Sequence, residues 1–229
     1  MLLLSQVYPC NGQQAPVREI VAFAREHGVD VLVDSAHALG QLPLDVQQLH
    51  VDFAGFNLHK WIGAPPGLGF VFIRATQLAK IEPHMGDRNY PLSDIRCRLY
   101  VGMPPLAAIL ATPAALDFHA NLGGSEAKAA RLAALREYWV GRVAALPGLR
   151  LLSPREAEHG TALVAVAIDG MSARELQQAL LNRFNLFTVE RNVGASDVVR
   201  VTVALTTTTE ELDQLVAALM VLTREAHVL

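Results

Sequence analysis

Three polar strings in the first third of the chain carry residues able to do covalent chemistry. They are Asp34-Ser35-Ala36-His37, Asn57-Leu58-His59-Lys60-Trp61 and Pro66-Gly67-Leu68-Gly69-Phe70. A lysine beside a desolvating aromatic such as Trp61 can lose its proton and act as an imine-forming amine. A carboxylate paired with a pyridinium nitrogen keeps that nitrogen protonated and makes the ring an electron sink. Histidine and asparagine side chains can bind a phenolic oxygen or a phosphate. Together these needs describe pyridoxal 5'-phosphate. Taken singly, each residue has an ordinary use: Asp34 in a turn or cap, His37 as a satisfied core histidine, His59-Lys60 as solvated surface, Trp61 and Phe70 in packing. The ordered set, with a strand before both polar clusters, carries the reading. A metal hydrolase built on Asp34, His37 and His59 is weaker, because these positions lack the close helical spacing of common zinc sites and leave Lys60 idle.

Asp34 and Lys60 lie 26 positions apart, so they meet only if neighbouring strands deliver them to one end of a sheet. Apolar runs predict strands at residues 2–7, 29–34, 51–56 and 67–74, with a helix at 16–27 that places Val17, Ile20, Val21 and Ala24 on one face. Such runs predict an α/β architecture with a largely parallel, covered sheet whose ligands sit beyond the carboxyl ends of the strands. A strand that begins at residue 2 and is buried on both faces needs two neighbours. Either it is an edge, or the chain lacks an N-terminal portion. From Pro104 the pattern turns helical, with one helix at 106–121 and a second, capped by Ser125, reaching 146. The remainder alternates between strands at 149–152, 162–168, 186–189 and 198–204 and helices at 172–183 and from about 208, where Thr207 and Glu210 are spaced for a capping box. The expected division is a partial cofactor-binding large domain at 1–103, a helical connector at 104–147 and a small α+β domain at 148–229.

Composition sets the frame. With 229 residues, 52% hydrophobic and 18% charged, the chain can bury a sizeable core and is not intrinsically disordered. Nineteen basic against 22 acidic residues leave a net charge of -3, too balanced for a nucleic-acid or membrane-surface protein. Two cysteines, Cys10 and Cys97, make neither a disulfide framework nor a four-ligand metal site. The start has no basic flank, which argues against a signal peptide. Residues 99–116 carry no charge, yet Gly102, Pro104, Pro105 and Pro113 interrupt them, so a buried soluble helix is the better reading than a membrane span. The expectation is a soluble, cytoplasmic protein.

Residues 31–45, Val-Leu-Val-Asp-Ser-Ala-His-Ala-Leu-Gly-Gln-Leu-Pro-Leu-Asp, are followed by Asp52-Phe53 and by Asn57-Leu58-His59-Lys60-Trp61-Ile62-Gly63-Ala64-Pro65. This series resembles the class V aminotransferases, and within them the isopenicillin N epimerase-like branch. The likeness runs on to Val199-Arg200-Val201-Thr202 and Thr209-Glu210-Glu211-Leu212. It implies a pyridoxal-phosphate enzyme of fold type I, usually a homodimer with its sites at the subunit boundary, acting on an amino acid or amino compound. By the same resemblance, Lys60 holds the cofactor as an internal aldimine, Asp34 pairs with the ring nitrogen, and His37 contacts the phenolic oxygen. Asn57 and His59 lie at the phosphate, and Arg200 binds the substrate carboxylate, which suits a planar guanidinium. Transamination, epimerisation and elimination share the early steps and stay open.

Three departures matter. Family members carry a large N-terminal portion, with a phosphate loop and a ring-stacking residue, before the strand that opens this chain. The family's Gly-Thr is here Gly102-Met103. Residues 190–197 contain no cysteine, which disfavours cysteine desulfurase activity. The first departure motivates a second expectation, a catalytically incomplete piece that folds without turnover.

Overall fold

A computed structural model describes residues 1–85, 89–99, 102–156 and 158–227. They form two units, Met1–Gln6 with Pro16–Leu122, and Val7–Ala15 with Gly123–Leu229.

The first unit is built on a sheet of β1 (Leu2–Ser5), β2 (Val31–Asp34), β3 (Phe53–Asn57) and β4 (Gly69–Ile73) in that spatial order. β1, β2 and β3 are parallel, and β4 returns antiparallel. The return is forced by the connection: residues 58–68 contain no crossover helix that could carry the chain back to the starting end. Val31, Val33, Ala54 and Phe56 are buried, as are Val17, Val21 and Ala24 of α1 (Val17–Glu26). Asp52 is buried as well, and its function is structural. Its carboxylate accepts from the Val31 backbone N–H at 3.0 Å and from Gln77 at 3.0 Å, with the Arg74 guanidinium at 3.6 Å. A short helix, α2 (Val46–Leu49), is capped by Asp45.

Helix α3 (Leu106–Asn121) matches the expected bounds and runs through Pro113. It is apolar on all sides. The expected burial is not found: only Ala108 of this helix is buried, while Leu106 is 63%, Leu110 78% and Phe118 62% exposed. Among the described residues no helix is long and apolar enough to cross a membrane.

The second unit holds an antiparallel sheet in the order β5 (Leu149–Leu151), β6 (Leu163–Ile168), β8 (Ser196–Thr202), β7 (Val189–Val193). All six residues of β6 are buried. α5 (Ala173–Phe184) and α6 (Thr209–Ala226) pack on the sheet and on each other, and α4 (Gly124–Val143) packs on α6. Their buried side chains include Trp139, Leu132 and Leu135 from α4, Leu176 and Leu180 from α5, and Leu219 and Leu222 from α6.

α4 packs with α6 inside this unit, which resumes at Gly123. Two cap readings shift here. Ser125 is not the cap of α4, because the helix starts at Gly124 behind a left-handed Gly123. The capping box of α6 uses Thr208 and Glu211, one residue later than expected, and Thr207 instead accepts from the Ala204 N–H.

At α5, Ser172 and Glu175 form a complete capping box. Ser172→Ala is expected to destabilise the fold by about 1 kcal/mol, read as a lower thermal midpoint. Hydrogen bonds from the Ser172 hydroxyl and backbone hold the Glu175 carboxyl below its usual pKa. A depressed carboxyl pKa adds stability above its unfolded value, near 4.5, and that contribution fades as pH falls through the lower folded value. The Ser172→Ala penalty therefore shrinks in acid.

Candidate functional site

The carboxyl ends of β2 and β3 lie side by side, with Asp34 opposite Gly55. Asp34 is exposed at its strand end, and its Oδ1 accepts from the Ala36 N–H at 2.9 Å, which fixes the carboxylate's attitude. Behind it, Ser35 is fully buried and donates its hydroxyl to Gln6 Oε1 at 2.7 Å and its backbone N–H to the Gly55 carbonyl at 2.9 Å. The chain then turns through Ala38 and Leu39, whose N–H groups both donate to the Ser35 carbonyl.

From β3 the chain leaves at Asn57, which pairs with Gly69 on β4. Leu58 N–H donates to the Leu68 carbonyl and Ala64 N–H to the Leu58 carbonyl, closing a compact loop that carries His59, Lys60 and Trp61. This loop and the one after β2 are packed together. The His37 and Trp61 rings meet edge to face with centroids 6.4 Å apart. Gly40 sits so close that a Cβ there would meet Ile62 at 2.8 Å and the Trp61 backbone at 3.0 Å.

Thus the first unit brings Asp34, His37, Asn57, His59 and Lys60 to one end of its sheet, as the sequence order implies. His59 and Lys60 are exposed, and His37 and Asn57 are half-buried. Gly55 is the residue that sequence reasoning passed over. It lies beside Asp34 with no described residue within 4 Å of where a Cβ would be, so the sheet offers a bare surface next to the carboxylate. An isolated glycine inside a strand is a recognised sign of close approach by another group. Among the described residues, no three of His, Cys, Asp and Glu converge as a metal-binding group.

Arg200 belongs to the second unit, on β8. Its Nη1 donates to the Pro9 carbonyl at 2.7 Å, and its buried Nε has no hydrogen-bond partner among the described residues. Burial, and then the positive charge of Arg191, make this guanidinium hold its proton less tightly than usual, while Cys10 acts in the opposite sense. The Pro9 carbonyl is held by the segment Val7–Ala15, which is stitched to the second sheet. Asn11 donates to the Leu152 carbonyl at 3.1 Å, Thr161 donates to the Gly12 carbonyl at 2.9 Å, and Gln14 N–H donates to the His159 carbonyl at 2.9 Å. Gly12 has φ +71°, and a Cβ there would lie 2.1 Å from the Leu163 carbonyl oxygen, so only glycine fits that crossing. Met103, at the family's threonine position, is 95% exposed. Tyr100 and Val101, part of the uncharged stretch read above, lie outside the described residues.

Comparison with known proteins follows the same line. The family described as Aminotransferase class-V matches residues 1–215. Isopenicillin N epimerase of Streptomyces clavuligerus is 31% identical over 98% of this chain and 61% of its own length. A probable cysteine desulfurase of Streptomyces coelicolor is 32% identical over 74% of this chain and 42% of its own length. Among solved structures, a C-DES mutant with glycine covalently linked to its PLP cofactor superposes with a TM-score of 0.83 at 27% identity, covering 95% of this chain and 59% of that one. The chain therefore spans 61% or less of the length of each of these relatives.

Proposed function

The chain belongs to the class-V aminotransferase family, and from that premise we propose that it is the lysine-bearing part of a pyridoxal-phosphate enzyme acting on an amino acid or amino compound. The observation that carries the reading is the packing of the Asp34–Gly40 and Asn57–Ala64 loops at the ends of two adjacent parallel strands, with His37 against Trp61. The donor set fits the cofactor in kind: a carboxylate for a ring nitrogen, an imidazole for a phenolic oxygen, an amide and a second imidazole for a phosphate, and an amine for an aldehyde. The open face at Gly55 leaves room beside Asp34 for a flat ring.

When bound, pyridoxal phosphate supplies an aldehyde that captures amines and a ring that takes up the electrons released at the substrate's α carbon. The chain's own groups do the rest. Asp34, oriented by the Ala36 N–H, holds a proton on the ring nitrogen. Lys60 Nζ would hold the cofactor, and its amine would be the group that carries a proton to or from the substrate's α carbon. His37 donates to the phenolic oxygen, Asn57 and His59 hold the phosphate, and Arg200 fixes the substrate carboxylate. A homodimer in the cytoplasm is part of this reading. The choice among transfer, epimerisation and elimination rests on where the next proton goes.

Borohydride reduction of the chain with pyridoxal phosphate, followed by peptide mapping, tests the anchor. A visible absorbance band and a reduced pyridoxyl group on Lys60 are the expected result. Modification elsewhere, or cofactor lost freely on dialysis, sinks the assignment and favours the inert-piece alternative.

Removal of sulfur from cysteine is the second reading, favoured by the desulfurase among the relatives. Residues 190–197 supply no thiol, but Cys10 lies within electrostatic reach of Arg200. Alanine released from L-cysteine by the wild type and lost in Cys10→Ser would favour this route over the first.

A further inference from the structure

Arg200 has a companion. On the antiparallel pair β7–β8, Val189 lies opposite Arg200 and Arg191 opposite Val198. Opposed residues share a face, as do alternate residues along a strand, so Arg191 and Arg200 are diagonal neighbours on one face of the sheet. Diagonal Cβ atoms are within about 7–8 Å, well inside the reach of two arginine side chains. The acids nearest in sequence, Glu190 and Asp197, point to the opposite face by the same alternation, and Asp197 is bonded to Asn192.

Neither arginine is paired with a carboxylate among the described residues. The arginines that do form ion pairs there are Arg74, Arg96, Arg136, Arg150 and Arg183. What Arg191 and Arg200 do engage are backbone carbonyls: Arg191 Nη1 donates to Glu190 O at 2.8 Å, and Arg200 Nη1 donates to Pro9 O at 2.7 Å. Each bond fixes one nitrogen and leaves other donors of the fork for a ligand. Two half-buried cations held side by side repel each other, and Arg191 indeed loosens the proton on Arg200. Such a pair is relieved by negative charge arriving from outside the fold.

We propose that Arg191 and Arg200 form a two-point anion site, so that the substrate is an amino acid bearing a second carboxylate in its side chain. This rests on the reading of Arg200 as the binder of the substrate's α-carboxylate. Arg191 takes the distal carboxylate and thereby sets specificity.

The test needs no cofactor, which separates its failure from failure of the Lys60 anchor. Glutarate and butyrate, a diacid and a monoacid without amines, are titrated into the chain by calorimetry. Glutarate is expected to bind at least tenfold more tightly, the order of magnitude of one added charge-assisted contact. Arg191→Gln brings the glutarate affinity down to that of butyrate, and Arg191→Lys, which keeps the charge, restores part of the preference. Arg200→Gln weakens both ligands. Equal affinities in the wild type overturn the proposal, as does an Arg191→Gln variant that weakens both acids equally, since that marks one carboxylate shared by both arginines. Should Arg191→Gln fail to fold, the wild-type thermal midpoint decides: a larger rise with glutarate than with butyrate supports the diacid site, and equal rises refute it.

Discussion

Replacing Lys60 with alanine is expected to abolish the cofactor-dependent visible band and to lower turnover by roughly 10²–10⁴-fold or more, the usual weight of a positioned proton-transfer group. Loss of the proposed covalent anchor would come on top of that. The residue is exposed on its loop, so the change opens no cavity. The loop is held instead by buried Ile62 and Ala64 and by the closing bond from the Ala64 N–H to the Leu58 carbonyl. The thermal midpoint should therefore stay close to that of the wild type, within about 0.5 kcal/mol of stability. Absorbance and single-turnover rates check the prediction together. A variant that keeps the band and turns over normally would move the anchor to another lysine.

Asp34→Asn is the second large effect. Asparagine keeps the shape and still accepts the Ala36 N–H that Oδ1 holds at 2.9 Å, but it carries no charge to balance a protonated ring nitrogen. Cofactor binding should survive while kcat falls by about 10²–10³-fold, the range seen when a preorganised electrostatic partner of a developing charge is removed. A wild-type kcat in Asp34→Asn would mean that this carboxylate serves only the turn. The two variants fail differently: one loses attachment, the other retains attachment and loses rate.

Much of this site was legible because its information is local. Asp34, His37, Asn57 and Lys60 each stand at or just beyond the end of an apolar run, and strand-end geometry does the rest. Other features were hidden for physical reasons. The Pro9 carbonyl meets Arg200 across 191 positions, a contact that no periodicity announces. The polar segment at residues 7–15 looks like an ordinary turn, yet it is pinned to β6 through Gly12. β7 was expected at 186–189 and lies at Val189–Val193, because an edge strand that alternates Glu190 and Asn192 outward lacks a continuous apolar run. Capping boxes at Thr207/Glu210 and Thr208/Glu211 fit the same spacing rule. Burial of Leu212, Leu215 and Leu219 accompanies the second, and sequence spacing alone does not rank the two. Gly55 mattered through what it lacks, and a missing side chain leaves no chemical signature to read.

Helix α3 turns Leu106, Leu110 and Phe118 toward water. An assembly that covered those side chains would be driven by the release of ordered solvent more than by ion pairing. It would loosen on chilling and tighten in ammonium sulfate. A cold room would then be where such an assembly comes apart.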